Sequence, residues 1–247
     1  AVNYYMQGKI FASGRLWVPS HDLAEFFTMR FFVNDGRMYS LFQPGWPAFL
    51  AVGHLVGAPA FVGPVVAAVA TGFFFGTARR LLGEAAGRWA TLMLAVTSIF
   101  IFQSASMMAH GAAAMCGLGA LYFAVRYWED RRVAFAVIGG AFLGYMFTIR
   151  AGTAVGFGVP LGIAILYLII RREIDWKVCL WIALGFVPTA GLQFWYNWAI
   201  TGDLTIFPQD RYFALTEPIP DCHRLGLGDG IGLVGQGRHP ADGVVVI

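Results

Sequence analysis

The chain has 247 residues, 58% of them hydrophobic and 13% charged, with a mean hydropathy of +0.64. Soluble domains carry roughly 25% charged residues, so an ordinary water-facing surface is excluded and a lipid bilayer is the solvent that fits. The net charge of +3 is small and dispersed, which argues against a nucleic-acid partner; in a membrane protein the placement of Lys and Arg says more than their sum.

Val2, Tyr5, Met6 and Ile10 fall at i, i+3, i+4 and i+8, with Asn3 and Gln7 elsewhere on the wheel. This spacing predicts a helix lying along the membrane surface on those four residues. Residues 27–33 and 38–42 are rich in aromatic and β-branched types and flank Asn34-Asp35-Gly36-Arg37, where Asn and Asp-Gly supply the positive φ of a tight hairpin. Pro44-Gly45-Trp46-Pro47 ends the second strand, and residues 48–56 resume a helical pattern.

Six apolar stretches then qualify as spans: 59–77, 89–102, 111–125, 133–147, 152–170 and 178–198. A spanning segment needs about 20 mostly apolar residues and, standing alone, must be helical to satisfy its own backbone. Arg79, Arg80, Arg88, Arg126, Arg131, Arg132, Arg171, Arg172 and Lys177 occupy the first, third and fifth connections, whereas the second has no Lys or Arg and the fourth only Arg150. The positive-inside rule makes the odd connections cytoplasmic. The expected fold is therefore an all-α integral membrane protein of about six transmembrane helices. Residues 1–58 form an extracytoplasmic segment of surface helices and a hairpin, residues 59–200 the membrane region, and residues 201–247 an extracytoplasmic tail.

Cys116 and Cys179 lie in apolar runs and read as small core residues, and Cys222 has no partner outside them, so no disulfide framework is implied. Asp210, Asp221, His223 and His239 in the tail match no recognised ligand spacing, so no metal is expected, and no motif calls for a cofactor. The chain opens at Ala1 without a Met or a basic stretch and ends within the apolar run 244–247; a fragment of a longer protein is expected.

Arg150 is the most informative residue. It stands between two apolar runs on the side that the positive-inside bias disfavours, and an ionisable group at membrane depth is costly and usually retained for a partner. Its planar guanidinium suits a phosphate at the outer surface; snorkelling to head groups is the plainer explanation. His110 ends the outward stretch 104–109 and could move a proton or bind a sugar, or simply anchor a helix end. Arg37, Tyr39 and Gln43 project from the hairpin as candidate lining of a polar pocket. Asp35 is accounted for by the turn.

The order of these parts resembles a known family. Residues 4–16, Asp35-Gly36-Arg37-Met38-Tyr39-Ser40 leading to Pro44-Gly45-Trp46-Pro47, residues 104–110, and Tyr196-Asn197 with Thr201-Gly202-Asp203 are similar to bacterial membrane glycosyltransferases related to the dolichyl-phosphate-mannose protein mannosyltransferases. The resemblance implies a GT-C class enzyme of the inner (plasma) membrane. It would transfer a hexosyl group, such as mannose, from a polyprenyl-phosphate carrier to a protein, lipid or glycan hydroxyl, with inversion, at the extracytoplasmic face. Set beside the residue reading above, it places Arg150 and Arg37 at the donor phosphate, with Tyr39, Gln43 and His110 as the candidate substrate pocket. The family's acidic catalytic base falls ahead of Ala1 in this register, and a lysine found in related aminoarabinose transferases is replaced by Gln43. A transporter or flippase subunit is the rival class; paired halves with broken helices would support it, and the sequence has no such halves.

Overall fold

The computed structural model describes residues 1–20 and 29–216. Ten α-helices and a small sheet are defined among them: α1 (Val2–Ala12), β1 (Val18–Pro19), β2 (Phe32–Asn34), β3 (Arg37–Ser40), α2 (Gly45–Leu55), α3 (Val62–Leu82), α4 (Glu84–Val96), α5 (Ser98–Ala105), α6 (His110–Asp130), α7 (Val133–Ile149), α8 (Ala151–Ile170), α9 (Val178–Thr201) and α10 (Pro208–Thr216). Cys222, Asp221, His223 and His239 lie outside the described residues.

The hairpin forms where Gly36 allows it. Gly36 has φ 68°, a conformation open to glycine at little cost, and β2 and β3 pair antiparallel with Val33 opposite Tyr39. Asp35 and Asn34 do not share the positive φ that the sequence suggested for them. A third strand was not foreseen: β1 pairs with the other edge of β3, Val18 opposite Met38, giving the order β1-β3-β2. Two residues ending in a proline carry too little periodicity to announce a strand.

The first helix is present, and the side it turns toward the rest of the protein can be read directly. Tyr4, Gln7, Gly8 and Ile10 are buried, and Val2 is 63% exposed. Gln7 decides the orientation because both ends of its amide are used inside. Its Nε2 donates to the Leu16 carbonyl (2.9 Å), and its Oε1 accepts from the Ser40 amide (2.8 Å). A satisfied buried amide costs little, whereas an unsatisfied one is expensive. Gly8 lets α1 close on α2, since a Cβ there would stand 2.8 Å from Leu50 Cβ. The helix is thereby clamped between α2 and the sheet.

Three helical stretches are long and apolar enough to cross a membrane: Pro59–Leu82, which joins a 3-10 turn to α3, α8 and α9. A fourth arises if α4 and α5 count as one span, but the two are bent by 60°. The expected straight helix over 89–102 is therefore broken at Thr97, which is extended (ψ 122°). Its hydroxyl donates to the Met93 carbonyl (2.6 Å) while its amide turns to Leu94 (3.1 Å), so the regular ladder stops there. The apolar α7 has 17 residues, about 25 Å at 1.5 Å per residue. The Ala- and Gly-rich α6 is not among the spans by this measure.

The centre of the bundle is the contact of α7 with α9. A Cβ on Gly185 would run into the Val137 carbonyl, and one on Gly140 into the Ile182 carbonyl. Small residues of this kind let backbones approach closely where no hydrophobic force separates helix from lipid. By contrast α8 buries only Ala154 and leans away from the bundle.

Candidate functional site

The break between α7 and α8 is the source of the site. Arg150 is extended (φ −155°, ψ 95°) and serves both helices at once: its amide donates to the Met146 carbonyl (2.9 Å), and its carbonyl accepts from the Ala154 amide (2.9 Å). The backbone is thus fully used while the side chain stays exposed. Gln43, brought in by the chain leaving β3, accepts from the Ala151 amide through Oε1 (3.0 Å) and caps the start of α8. No acidic residue lies in the first turn of α8, so its positive dipole end is not neutralised by a neighbouring carboxylate.

His110, the first residue of α6, reaches the same point. Its Nδ1 contacts Nη1 of Arg150. A guanidinium only donates, so Nδ1 is the acceptor and the ring is the neutral tautomer protonated at Nε2. Burial, and then the charge of Arg150, hold the His110 imidazole below its ordinary pKa, in keeping with that assignment. Tyr4 stacks on Phe42 with ring centroids 4.5 Å apart; burial raises its phenol, with Arg150 acting in the opposite sense.

The surrounding turns hold these groups in place. Trp46 Nε1 donates to the Met107 carbonyl (2.9 Å), fixing the stretch that leads into His110. Tyr145 Oη donates to the Gly45 carbonyl (2.9 Å), tying the start of α2 to α7. Below Arg150 an apolar groove of about 510 Å³ runs along α8, bounded by Phe147, Ala154, Val155 and Phe186.

Of the five residues singled out from the sequence, Arg150, His110 and Gln43 meet here. Arg37 and Tyr39 occupy a second cluster at the sheet. The Arg37 guanidinium lies over the Trp17 ring (4.7 Å) and donates to the Ile200 carbonyl (3.3 Å). Tyr39 is 3% exposed and packs with Val33, Tyr196 and Ile200. Burial raises its phenol, modulated by Arg211, Asp35 and Arg37. Asp35 pairs with Arg211 of α10 at 2.6 Å. Tyr4 and Trp46 are not among those five, although both fall in stretches that carry the family resemblance, residues 4–16 and 44–47. Among the described residues no group of three or more His, Cys, Asp or Glu could hold a metal, and Asp210 accepts from the Phe207 amide (3.2 Å) at the start of α10.

Residues 47–195 match a family model described as dolichyl-phosphate-mannose-protein mannosyltransferase, a stretch that contains both His110 and Arg150. No curated protein and no solved structure matches the chain.

Proposed function

The chain belongs to the dolichyl-phosphate-mannose-protein mannosyltransferase family, a family of membrane glycosyltransferases, and from that premise we propose that Arg150 holds the phosphate of a polyprenyl-phosphate sugar during its transfer to an acceptor hydroxyl. The observation that carries this reading is the exposed guanidinium at the positive end of α8, touched by a neutral histidine. Helix N-termini and arginines both favour an anion, and here they coincide. The groove below Arg150 offers an apolar path for the isoprenoid chain.

The reaction is an in-line displacement at the anomeric carbon. The acceptor oxygen forms a bond to that carbon as the bond to the phosphate oxygen breaks, which inverts the centre. A carboxylate, which the resemblance puts ahead of Ala1, takes the hydroxyl proton. The polyprenyl phosphate leaves with the electron pair, and Arg150 stabilises the charge that develops on its oxygen. His110 orients the guanidinium from one side, and Gln43 sets the start of the helix beneath it.

The basic residues of the odd connections support six membrane helices, counting α6 and α7. They also support an active face outside the cytoplasm, shared by the sheet, Arg150 and His110. The decisive experiment is transfer from a purified polyprenyl-phosphate sugar by the full-length protein. Arg150→Ala is expected to lower turnover by roughly 30- to 1000-fold, about 2–4 kcal/mol of lost transition-state stabilisation. Arg150→Lys should recover part of it, keeping the charge without the fork. Wild-type turnover in Arg150→Ala would end the reading.

A further inference from the structure

The end of the bundle opposite Arg150 holds a second arrangement that the transfer reaction does not use. A cavity of about 590 Å³ lies between α6, α7, α8 and α9, with walls formed by side chains such as Val125, Phe135, Leu168 and Ile182. It exists because α8 stands away from its neighbours, burying only Ala154. The cavity meets the outer groove midway, at Gly158 and Phe186, and reaches Trp128 and Ile174 at its far end.

The two connections beside that far end carry cations, none of which is among the side chains lining the cavity itself. Arg131 and Arg132 join α6 to α7, and Arg171, Arg172 and Lys177 lie between α8 and α9. All five are exposed. Among the described residues none of them forms an ion pair, whereas nearby Arg80 and Arg126 are paired with Glu129 (2.9 Å) and Asp130 (2.7 Å). The rim is braced across the mouth, because Trp128 Nε1 donates to Glu173 (3.2 Å). Trp176, 59% exposed, marks this level as a membrane–water interface.

We propose that this cavity binds an anionic phospholipid, with an acyl chain between α6 and α8 and the head-group phosphate held by Arg131, Arg132, Arg171 and Arg172. Charge complementarity selects the occupant: an apolar cleft whose far end is flanked by connections carrying four arginines and a lysine against Glu173 and Asp175 suits an apolar chain ending in an anion, and a zwitterionic lipid satisfies it poorly. Basic pockets between membrane helices recognise acidic head groups in this way. The polyprenyl donor is a poor alternative, since its phosphate belongs at Arg150, a full length of α7 and α8 away. The exclusion of the polyprenyl donor rests on the transferase reading; the cavity and its flanking charges do not.

The test uses the full-length protein in neutral detergent, with bound lipid counted by native mass spectrometry and thermal unfolding followed in parallel. Phosphatidylglycerol is expected to be retained and to raise the melting temperature; phosphatidylcholine with the same chains should do neither. Neutralising the four arginines to Gln should cut retention by well over tenfold, since each charge is worth about fivefold. Ala183→Phe fills the inner cavity only, because Ala183 lines it and not the outer groove. It should abolish retention with every charge in place and transfer activity kept. If the four-Gln protein does not fold, high salt should release the lipid from the wild type. Equal retention of phosphatidylcholine, or undiminished retention by Ala183→Phe, would overturn the proposal. So would the same stabilisation by inorganic phosphate alone, or displacement of phosphatidylglycerol by polyprenyl phosphate in an Ala183-dependent manner.

Discussion

Two arginines on the same side of the molecule, Arg150 and Arg37, look alike in the sequence and are employed differently. The Arg37 guanidinium rests on the Trp17 ring and donates to the Ile200 carbonyl, so it joins the sheet to the end of α9. Arg150 holds its helices together through its backbone, and its exposed side chain meets His110. A guanidinium has five donors. What they are already bound to separates an arginine that builds from one that can receive a ligand.

The sharpest way to break this comparison is to truncate both. In Arg150→Ala the loss should fall on turnover, with the melting temperature little changed. Arg37→Ala should do the reverse, costing about 1–3 kcal/mol for a charged hydrogen bond and a cation–π contact, with turnover per folded molecule within a few-fold of wild type. Parallel unfolding and activity measurements read both effects; a hundredfold loss of turnover in folded Arg37→Ala would make Arg37 a donor-binding residue after all.

Gly36→Val tests the sheet beneath Arg37 directly. A β-branched residue at φ 68° should cost about 1–3 kcal/mol and loosen the hairpin. Unchanged stability would mean the turn tolerates another backbone path.

A smaller effect concerns pH at the Arg150 site. His110 titrates below its ordinary range in the folded protein, so the unfolded chain takes up its proton first as pH falls. Its contribution is then fully present above the ordinary imidazole value and declines as pH drops through and below it. In His110→Gln the loss of stability between pH 7.5 and 5 should shrink. An identical slope in wild type and variant would show that His110 is not held neutral by its surroundings.

The smallest change is expected for Asp35→Asn. The Asp35–Arg211 pair is about half exposed, and such pairs contribute about 0–1 kcal/mol. Turnover should stay near wild type, because the carboxylate serves the hairpin tip; a hundredfold loss would identify it as the reaction's base.

The sequence by itself determined the solvent, the helical character and the position of the hairpin. Those properties follow from local composition and from single residues such as Gly36. It also singled out Arg150, since a charge between two apolar runs is conspicuous without any fold. The protein-facing side of α1 was not legible, because Gln7 looks polar on a helical wheel; only Ser40 and Leu16, brought close by the sheet, make its burial favourable. The straight helix expected through Thr97 failed for a similar reason, since hydropathy averages over a hydroxyl that competes for the backbone. Tertiary structure alone brought His110 to Arg150 across 40 positions and Gln43 to Ala151 across 108. No local pattern encodes such meetings, because they depend on how α6, α7 and the end of β3 pack against one another.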